Sequence, residues 1–184
     1  METVRVAALV GSLRETSYTR LACEHVLTAA DAYDHVETDL IDLQTFELPP
    51  YNHDHDEPGD SAELLARVER ADAVILGTPN YHGSYSGVLK NALDYCGFGE
   101  FDETTVGLLA VAGGGYSSSP LDHLRIVARA VSAWVVPHQV AIQNASSSFE
   151  DGVLTDETLA ARIATLGEQM VAYANIEPDE RTVT

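Results

Sequence analysis

Three near-continuous apolar runs along the chain have the composition of strands buried on both faces. They cover Val4–Val10 (VRVAALV), Ala73–Gly77 (AVILG) and Val106–Ala112 (VGLLAVA). Such runs are typical of a parallel sheet that is covered by helices on both sides. Two further strands are predicted at Val36–Leu43, where polar and apolar residues partly alternate, and from His138 to Ile142, directly after Pro137.

Between these strands, apolar residues recur at the spacing of amphipathic helices. The predicted core-facing stripes are Cys23, Val26, Leu27 and Ala30; Leu121, Leu124, Ala128 and Val131; and Leu159, Ile163, Leu166 and Met170. A helix from about Asp60 is predicted to begin with a capping box between Asp60 and Glu63. The last helix is predicted to open at Thr155, and another at Ser86.

Five strands that alternate with about five helices predict right-handed βαβ units and a doubly wound α/β sheet. A chain of 184 residues with 45% hydrophobic residues is long enough to bury a core, and no break in composition indicates a second domain. We therefore expect one domain over residues 1–175 and a polar tail over 176–184.

The charge balance excludes several classes of partner. Asp and Glu number 29 against 10 Lys and Arg, which gives a net charge of -19. This charge argues against nucleic acid and anionic membranes as partners, because phosphates are repelled, and it suggests a halophile. The two cysteines are far apart, and no apolar run approaches the ~20 residues that cross a bilayer, so we expect a soluble, cytoplasmic protein.

The loop after the first strand carries an unusual density of hydrogen-bond donors just before a helix. It runs from Gly11 to Arg20 as GSLRETSYTR and contains Ser12, Arg14, Ser17 and Thr19. Hydroxyls, free amides and a guanidinium at a helix N-terminus favour a phosphate site. The alternative is that Ser17 is a plain N-cap and Arg14 a surface cation. The loop is neither a GxGxxG motif nor a P-loop.

The loops after the third and fourth strands add a flat, polar surface. The third strand is followed by Pro79, Asn80, Tyr81, His82, Gly83 and Ser84. The fourth is followed by GGGYSSS, which contains Gly113, Gly114 and Tyr116 and which by itself is typical of a flexible turn. Because ligands of open α/β sheets bind beyond the carboxyl ends of the strands, the three loops are expected to converge on one ligand, a phosphate attached to a planar ring.

At these loops the chain resembles the NADPH-dependent FMN reductase family, whose pattern runs close to GSxRxxSxN, TPxYxGSxxGxLKNxxD and a glycine-rich loop. The resemblance spans about Val4 to Val140. The segment TPNYHGSYSGVLKNALD follows the middle motif almost position by position, whereas the other two motifs are individually weak. The resemblance implies a flavodoxin-like sheet of order 2-1-3-4-5 in three αβα layers, FMN as cofactor and NADPH or NADH as reductant.

Carried over by position, the resemblance implies that Ser12, Arg14, Ser17 and Thr19 hold the FMN phosphate. It implies that Pro79, Asn80, Tyr81, His82, Gly83 and Ser84 line the ribityl chain and ring, with Gly113, Gly114 and Tyr116 near the other edge. Thr19 stands where the family often has Asn. Asn80 stands where many members carry Glu, at a position associated with subunit contacts, so the homodimer or homotetramer that the resemblance implies is in question.

The expected activity is hydride transfer from NADPH or NADH to FMN and onward to a flavin, quinone, azo or metal acceptor. Because the flavin does this chemistry, no catalytic side chain is required. Alternatives are a flavodoxin-type electron carrier that does not use a nicotinamide, and a sensor that uses FMN. The segment HDHDEPGD, from His53 to Asp60, fits either an acidic solvated loop or a divalent metal site, and we expect the loop and no metal.

Overall fold

A computed structural model describes residues 3–116 and 118–174, which form a five-stranded parallel sheet. The strands are β1 (Val4–Val10), β2 (Val36–Asp42), β3 (Ala73–Pro79), β4 (Thr105–Val111) and β5 (Trp134–Ile142). Their order in the sheet is β2-β1-β3-β4-β5, and each neighbouring pair is parallel. The flavodoxin-like order that the resemblance implies is therefore confirmed. The predicted tail over 176–184 lies outside the described residues.

Helices connect the strands and cover both faces of the sheet. They are α1 (Tyr18–Ala30), α2 (Ser61–Glu69), α3 (Gly87–Tyr95), α4 (Phe98–Phe101), α5 (Ser119–Ala130) and α6 (Glu157–Ala172). Single 3₁₀ turns occur at Leu43–Thr45 and Ala145–Ser147, and a short hairpin pairs β6 (Phe149–Glu150) with β7 (Val153–Leu154). No helix in the described part of the chain is long and apolar enough to cross a membrane.

Alternate side chains of each central strand enter two separate cores. Val6 and Ala8 of β1 pack with α1 and α6 on one face, whereas Ala7 and Leu9 pack with α2, α3 and α5 on the other. All four residues are at most 1% exposed. Burial on both faces explains why β1, β3 and β4 are almost entirely apolar in sequence. The three predicted helical stripes all pack into these cores, with Val131 only partly buried.

Two strands extend further than predicted. In both, the predicted strand stops short of a proline that the strand in fact includes. Strand β3 continues through Pro79, which pairs with Val111 as the last residue of the strand and so interrupts no ladder. Strand β5 begins at Trp134 instead of His138 and contains Pro137. Its register with β4 shifts at that point, which marks an irregularity on an edge strand where proline is tolerated.

The predicted helix starts at Asp60 and Thr155 also need correction. The Asp60 side chain makes no cap to α2, because its Oδ2 accepts a 2.7 Å hydrogen bond from the Glu47 amide instead. Its supposed partner Glu63 lies 3.4 Å from Arg67 on the next turn, so the capping box is wrong. Helix α6 begins at Glu157, two residues later than predicted, with Asp156 as its N-cap.

Candidate active site

A cleft of about 330 Å³ lies beyond the carboxyl ends of the sheet strands, a volume within the usual range of ligand pockets. Residues after β1, β3, β4 and β5 contribute to its walls. It is lined by Ser12, Arg14, Ser17, Tyr18, Thr19, Pro79, Asn80, Tyr81, Val111, Gly113, Ala145 and Ser146. The flavodoxin-like strand order places β1 beside β3, so the first two of these loops are direct neighbours.

The loop after β1 presents donors to this cleft. Ser17 is the N-cap of α1, and its Oγ accepts a 3.1 Å hydrogen bond from the Arg20 amide while its own O–H can still donate. The amides of Tyr18 and Thr19, at the first helical positions, have no acceptor among the described residues. Ser12, Ser17 and Thr19 are at most 3% exposed, so the surrounding protein holds these side chains in place.

Arg14 is the exposed cation of the cleft. Its guanidinium forms no ion pair within the described part of the chain, whereas Arg20, six residues later, is paired with Asp42. The chain has only 10 Lys and Arg, and Arg14 is the one that lines the cleft beside the free helix amides. The set can bind an anion by charge-assisted hydrogen bonds.

Arg20 braces this loop from behind. Its Nη2 donates to the carbonyl oxygen of Arg14 at 3.2 Å, and its Nη1 donates to that of Glu15 at 3.4 Å. The same side chain reaches Gln44 Oε1 at 2.5 Å and lies 2.7 Å from Asp42 Oδ2. The Asp42 contact is an ion pair rather than an aligned hydrogen bond. Arg20 therefore ties the donor loop to the end of β2.

Gly11, at the start of the loop after β1, lies close to the end of the loop after β3 and to the first turn of α3. A Cβ at this position would lie 2.7 Å from Leu89 Cβ and 3.0 Å from Ser86 Oγ, so any side chain would force the loops apart. Ser86 fills the gap: its Oγ donates to the Gly11 carbonyl at 2.6 Å and accepts from the Leu89 amide at 3.2 Å. One hydroxyl thus both caps α3 and joins the two loops.

The loop after β3 contains a tight two-residue turn. Tyr81 and Ser84 exchange backbone hydrogen bonds of 3.0 and 3.1 Å, and the two central residues His82 and Gly83 have φ of 54° and 81°. Positive φ at both central positions is the requirement of a type I′ turn. The turn points His82 into solvent, while Tyr81 lines the cleft.

The loops after β4 and β5 close the other side of the cleft. Gly113 lines the cleft, whereas the Tyr116 side chain is 88% exposed. The Gly114 carbonyl accepts a 3.1 Å hydrogen bond from the Asn144 amide, and the Ala112 carbonyl accepts one of the same length from Ala145. The glycine-rich loop is thereby attached to the segment that contributes Ala145 and Ser146.

The structure brings most of the sequence-predicted site residues to one cleft. Those that line it are Ser12, Arg14, Ser17, Thr19, Pro79, Asn80, Tyr81 and Gly113. The others lie on the same loops but outside the lining, namely His82, Gly83, Ser84, Gly114 and Tyr116. Ser84 is turned toward α5, where its Oγ lies 3.0 Å from His123 Nδ1.

Four lining residues were not singled out from the sequence: Tyr18, Val111, Ala145 and Ser146. Ala145 and Ser146 belong to the loop after β5, which the same reasoning about strand ends could have included. Tyr18 is an aromatic side chain in the first turn of α1, stacked on Phe149 with ring centroids 5.2 Å apart. That contact joins the donor loop to the short hairpin and has no local sequence signal.

The described residues offer no activated thiol at the cleft. Burial raises the pKa of the Cys23 thiol to about 12, and the nearby carboxylates of Glu24 and Asp42 act in the same direction. Burial likewise raises the pKa of Cys96 to about 12, with Glu100 adding to the effect. Both thiols stay protonated at neutral pH, so nucleophilic catalysis by cysteine is not supported.

The His53–Asp60 segment is solvent-exposed over most of its length between the 3₁₀ turn after β2 and helix α2. Its His53 Nδ1 lies 3.3 Å from the Tyr51 hydroxyl. Within residues 3–116 and 118–174, no group of three or more His, Cys, Asp and Glu side chains is arranged to hold a metal ion.

The family model and similar relatives both indicate an FMN-dependent reductase. Residues 4–147 match the family model of the NADPH-dependent FMN reductases. The chain is 34% identical to an FMN-dependent NADPH-azoreductase of Staphylococcus haemolyticus, with 94% of this chain and 96% of that protein covered. Identity and coverage are the same for the FMN-dependent NADPH-azoreductase of Staphylococcus aureus.

Solved structures share the fold. The flavoenzyme NAD(P)H:(acceptor) oxidoreductase FerB from Paracoccus denitrificans superposes with a TM-score of 0.79 at 25% identity, covering 94% of this chain and 97% of FerB. The apo form of the NADH:FMN oxidoreductase EmoB gives a TM-score of 0.77 at 22% identity, covering 96% and 92%. The second likeness, at this identity, supports the fold alone.

Proposed function

The chain belongs to the NADPH-dependent FMN reductase family, and we propose that FMN binds in the cleft beyond the carboxyl ends of its sheet. The protein is an FMN-dependent oxidoreductase that takes reducing equivalents from NADPH or NADH. The observation that carries the proposed location is the convergence of a phosphate-type donor loop and two flat polar loops on one cleft. The chemistry that bound FMN supplies is hydride acceptance from a nicotinamide followed by electron transfer to a second acceptor.

The donor set of the first loop fits a phosphate dianion. The Tyr18 and Thr19 amides, the buried hydroxyls of Ser12 and Ser17 and the guanidinium of Arg14 are all donors, and none is an acceptor only. We assign these residues and the buried Thr19 side chain to the phosphate. Arg20 holds the loop in shape without being assigned to the phosphate itself.

The loops after β3 and β4 are assigned to the ribityl chain and the flavin ring. Pro79, Asn80 and Tyr81 form one wall, and Gly113 forms the other. The sequence-based assignment also includes His82, Gly83, Ser84, Gly114 and Tyr116, which we keep as residues of the cleft rim. Their loops border the cleft, so a ligand larger than the lined volume would meet them next.

We propose a small-molecule electron acceptor as the second substrate. The similar Staphylococcus proteins are azoreductases, and FerB is an NAD(P)H:(acceptor) oxidoreductase whose acceptor is left open. Azo compounds, quinones and free flavins are therefore the classes of acceptor to test. The roles left to this protein are to orient the two substrates and to keep bulk water from the buried end of the cleft.

The experiment that tests this function separates the two half-reactions. Purified protein is loaded with FMN and mixed anaerobically with NADPH or NADH while the flavin absorbance is followed in a stopped-flow instrument. Fast bleaching by either nicotinamide is the expected result. Bleaching no faster than that of free FMN would contradict the proposal and favour a flavodoxin-type carrier. Gel filtration of the loaded protein then decides whether FMN travels with it as a cofactor or leaves as a substrate.

The assembly and the compartment are part of the same proposal. We propose a homodimer or homotetramer, which the family resemblance implies, and a cytoplasmic location, which the two widely separated cysteines favour. Exposed aromatic side chains such as Phe98 (64%) and Tyr51 (43%) are compatible with a subunit contact. Light scattering coupled to gel filtration tests this, and a monomer at micromolar concentration would contradict it.

A further inference from the structure

Asn80 connects two loops of the cleft through a single side chain. Its Oδ1 accepts a 2.9 Å hydrogen bond from the Gly83 amide, within the turn after β3. Its Nδ2 donates to the Tyr116 carbonyl oxygen at 2.5 Å, across to the glycine-rich loop after β4. Its backbone amide adds a 2.7 Å hydrogen bond to the Val111 carbonyl, at the end of β4.

The orientation of the Asn80 amide follows from its partners. A backbone N–H can only donate, so the side of the amide that faces Gly83 must be the oxygen. A backbone carbonyl can only accept, so the side that faces Tyr116 must be the nitrogen. Aspartate, which has the same shape, could keep the first bond but would place a second acceptor against the Tyr116 carbonyl.

The glycines of the tied loop have no role in the packing of the described protein. A Cβ at Gly113, Gly114 or Gly115 would meet no atom within 4 Å. None of the three has the positive φ that would demand glycine, in contrast to Gly83. Three adjacent glycines that neither sterics nor backbone conformation requires give the loop conformational freedom, which must be lost whenever the loop is ordered.

Few contacts supply that order. Among the described residues, two hydrogen bonds attach the segment Gly113–Tyr116 to other loops: the Asn144 amide to the Gly114 carbonyl and the Asn80 side chain to the Tyr116 carbonyl. The Tyr116 side chain adds little packing, since it is 88% exposed. The second bond is therefore one of two constraints on a loop that contributes Gly113 to the cleft lining.

The geometry points to Asn80 as a positioning residue that latches the loop Gly113–Tyr116 to the turn after β3 and so fixes the mouth through which the electron acceptor enters. This inference rests on the proposed function, because it takes the cleft to be the place where the acceptor is reduced. A flat acceptor, such as a quinone or an azo compound, must fit between the two loops, so its binding depends on their separation. An acceptor that takes electrons without entering the cleft, such as ferricyanide, depends on it less.

The first test uses the protein without FMN, so it is independent of activity. Chymotrypsin cleaves after exposed aromatic residues, and Tyr116 is such a residue. We expect Asn80→Asp to raise the rate of cleavage after Tyr116 by about two- to tenfold, the effect of losing one hydrogen bond. An unchanged rate would overturn the inference.

Asn91→Asp is the matched control. Asn91 also bridges two backbone groups, since its Oδ1 accepts from the Tyr51 amide at 2.8 Å and its Nδ2 donates to the Pro49 carbonyl at 2.9 Å. It does so away from the cleft lining. This variant loses the same kind of bond and should leave cleavage after Tyr116 at the wild-type rate. Equal acceleration in both variants would show general loosening and would also overturn the inference.

The second test compares acceptors in the FMN-loaded enzyme. For a quinone we expect KM to rise about two- to tenfold in Asn80→Asp, and less for ferricyanide. Asn80→Ala removes both side-chain bonds, so if Asn80 only supported its own turn, Asn80→Asp would behave as wild type and Asn80→Ala alone would be impaired. Equal impairment of the two variants supports the latch.

Adding Gly115→Ala to Asn80→Asp restricts the loop without a clash and should recover part of the quinone KM. No recovery, together with unchanged cleavage after Tyr116, would overturn the latch. Failure of the proposed function has a different signature, because NADPH and NADH would then fail to bleach the flavin of the wild-type protein. If NADPH or NADH bleaches the flavin of the wild-type protein but the Asn80→Asp variant has the same KM for the quinone as the wild type, the latch is refuted and the proposed function stands.

Discussion

Ser86 Oγ donates a buried 2.6 Å hydrogen bond to the carbonyl oxygen of Gly11, which precedes it by 75 residues. This bond fastens the donor loop after β1 to the N-terminus of α3, so the two sides of the proposed FMN site are fixed relative to each other. Gly11 permits the approach because it has no side chain, and Ser86 occupies the remaining space. Positioning of the cleft therefore depends on two residues that do not line it.

Ser86→Ala is expected to destabilise the protein. It removes the N-cap of α3 and leaves the buried Gly11 carbonyl without its partner, which together should lower the free energy of unfolding by about 2 kcal/mol. Urea unfolding followed by circular dichroism measures the change. Ser118→Ala is the control, because Ser118 stands at the N-terminus of α5 without a side-chain cap. Similar losses in the two variants would refute the argument.

Arg14→Ala is expected to weaken the binding of FMN specifically through its phosphate. Charge-assisted hydrogen bonds to phosphate contribute about 1.5 to 3 kcal/mol, so Kd should rise about tenfold to a hundredfold. Quenching of flavin fluorescence measures it. Riboflavin has the same ring without the phosphate, so its Kd should change little in the variant. Equal losses for both flavins would place Arg14 elsewhere than at the phosphate.

Arg20→Lys tests the brace behind the donor loop. Lysine keeps the charge near Asp42 but cannot reach both carbonyls of Arg14 and Glu15, so the loop should lose its shape and the Kd for FMN should rise about threefold to tenfold.

Arg67→Lys provides the comparison for this brace. Arg67 also contacts β2, through Asp39 and the Leu40 carbonyl at 2.9 Å, but it lies outside the cleft lining. The Arg67→Lys variant should be less stable than the wild type but should bind FMN with the same Kd. A wild-type Kd in Arg20→Lys would show that the loop keeps its shape unaided.

The sequence predicted the fold well because its signals are local. Buried strands need apolar residues on both faces, and helices need apolar stripes, so β1 and the Cys23–Ala30 stripe could be recognised directly. The errors arose where the outcome depends on a distant part of the chain. Asp60 looked like the start of a capping box, but its carboxylate accepts a hydrogen bond from the Glu47 amide instead. Pro137 looked like a strand boundary, but an edge strand with a shifted register accommodates it.

The convergence of the three loops on one cleft could be predicted for a related reason. Each loop follows a strand, so its place at the sheet edge could be inferred, and Ser12, Ser17 and Asn80 do line one cleft. Which side chains of a loop face inward depends on the turn geometry. His82 is exposed at a central position of the turn, where its φ is 54°, and no local sequence pattern predicts that. Arg20 likewise acts through Asp42 and Gln44, which follow it by more than twenty residues.

The buried thiols predict a loss of stability at alkaline pH. The folded pKa of Cys23 and of Cys96 is about 12, above the value of 9.0 for a free thiol, so the folded state retains both protons longer than the unfolded chain does. Their contribution to stability is complete below pH 9.0 and is lost as the pH rises toward 12. Urea midpoints of wild type and of a double Cys23→Ala, Cys96→Ala variant should therefore converge over that range. A constant difference between them would contradict the assignment.

The strong negative charge predicts that salt accelerates the reaction with the nicotinamide. NADPH is a polyanion and must approach a protein with a net charge of -19, so long-range repulsion should slow association at low ionic strength. The screening length falls from about 10 Å at 0.1 M salt to about 3 Å at 1 M, which removes most of this repulsion. We expect kcat/KM for NADPH to rise several-fold over that range in steady-state assays, provided that circular dichroism shows the protein folded throughout.

Two substrates make the charge argument specific. NADH has the same reactive ring but lacks the 2′-phosphate, so its kcat/KM should rise less steeply with salt than that of NADPH. A neutral quinone has no charge to be repelled, and its kcat/KM should be nearly independent of salt. Equal slopes for all three substrates would mean that salt acts on the fold or on FMN binding, because only an encounter between charges distinguishes the substrates by their charge.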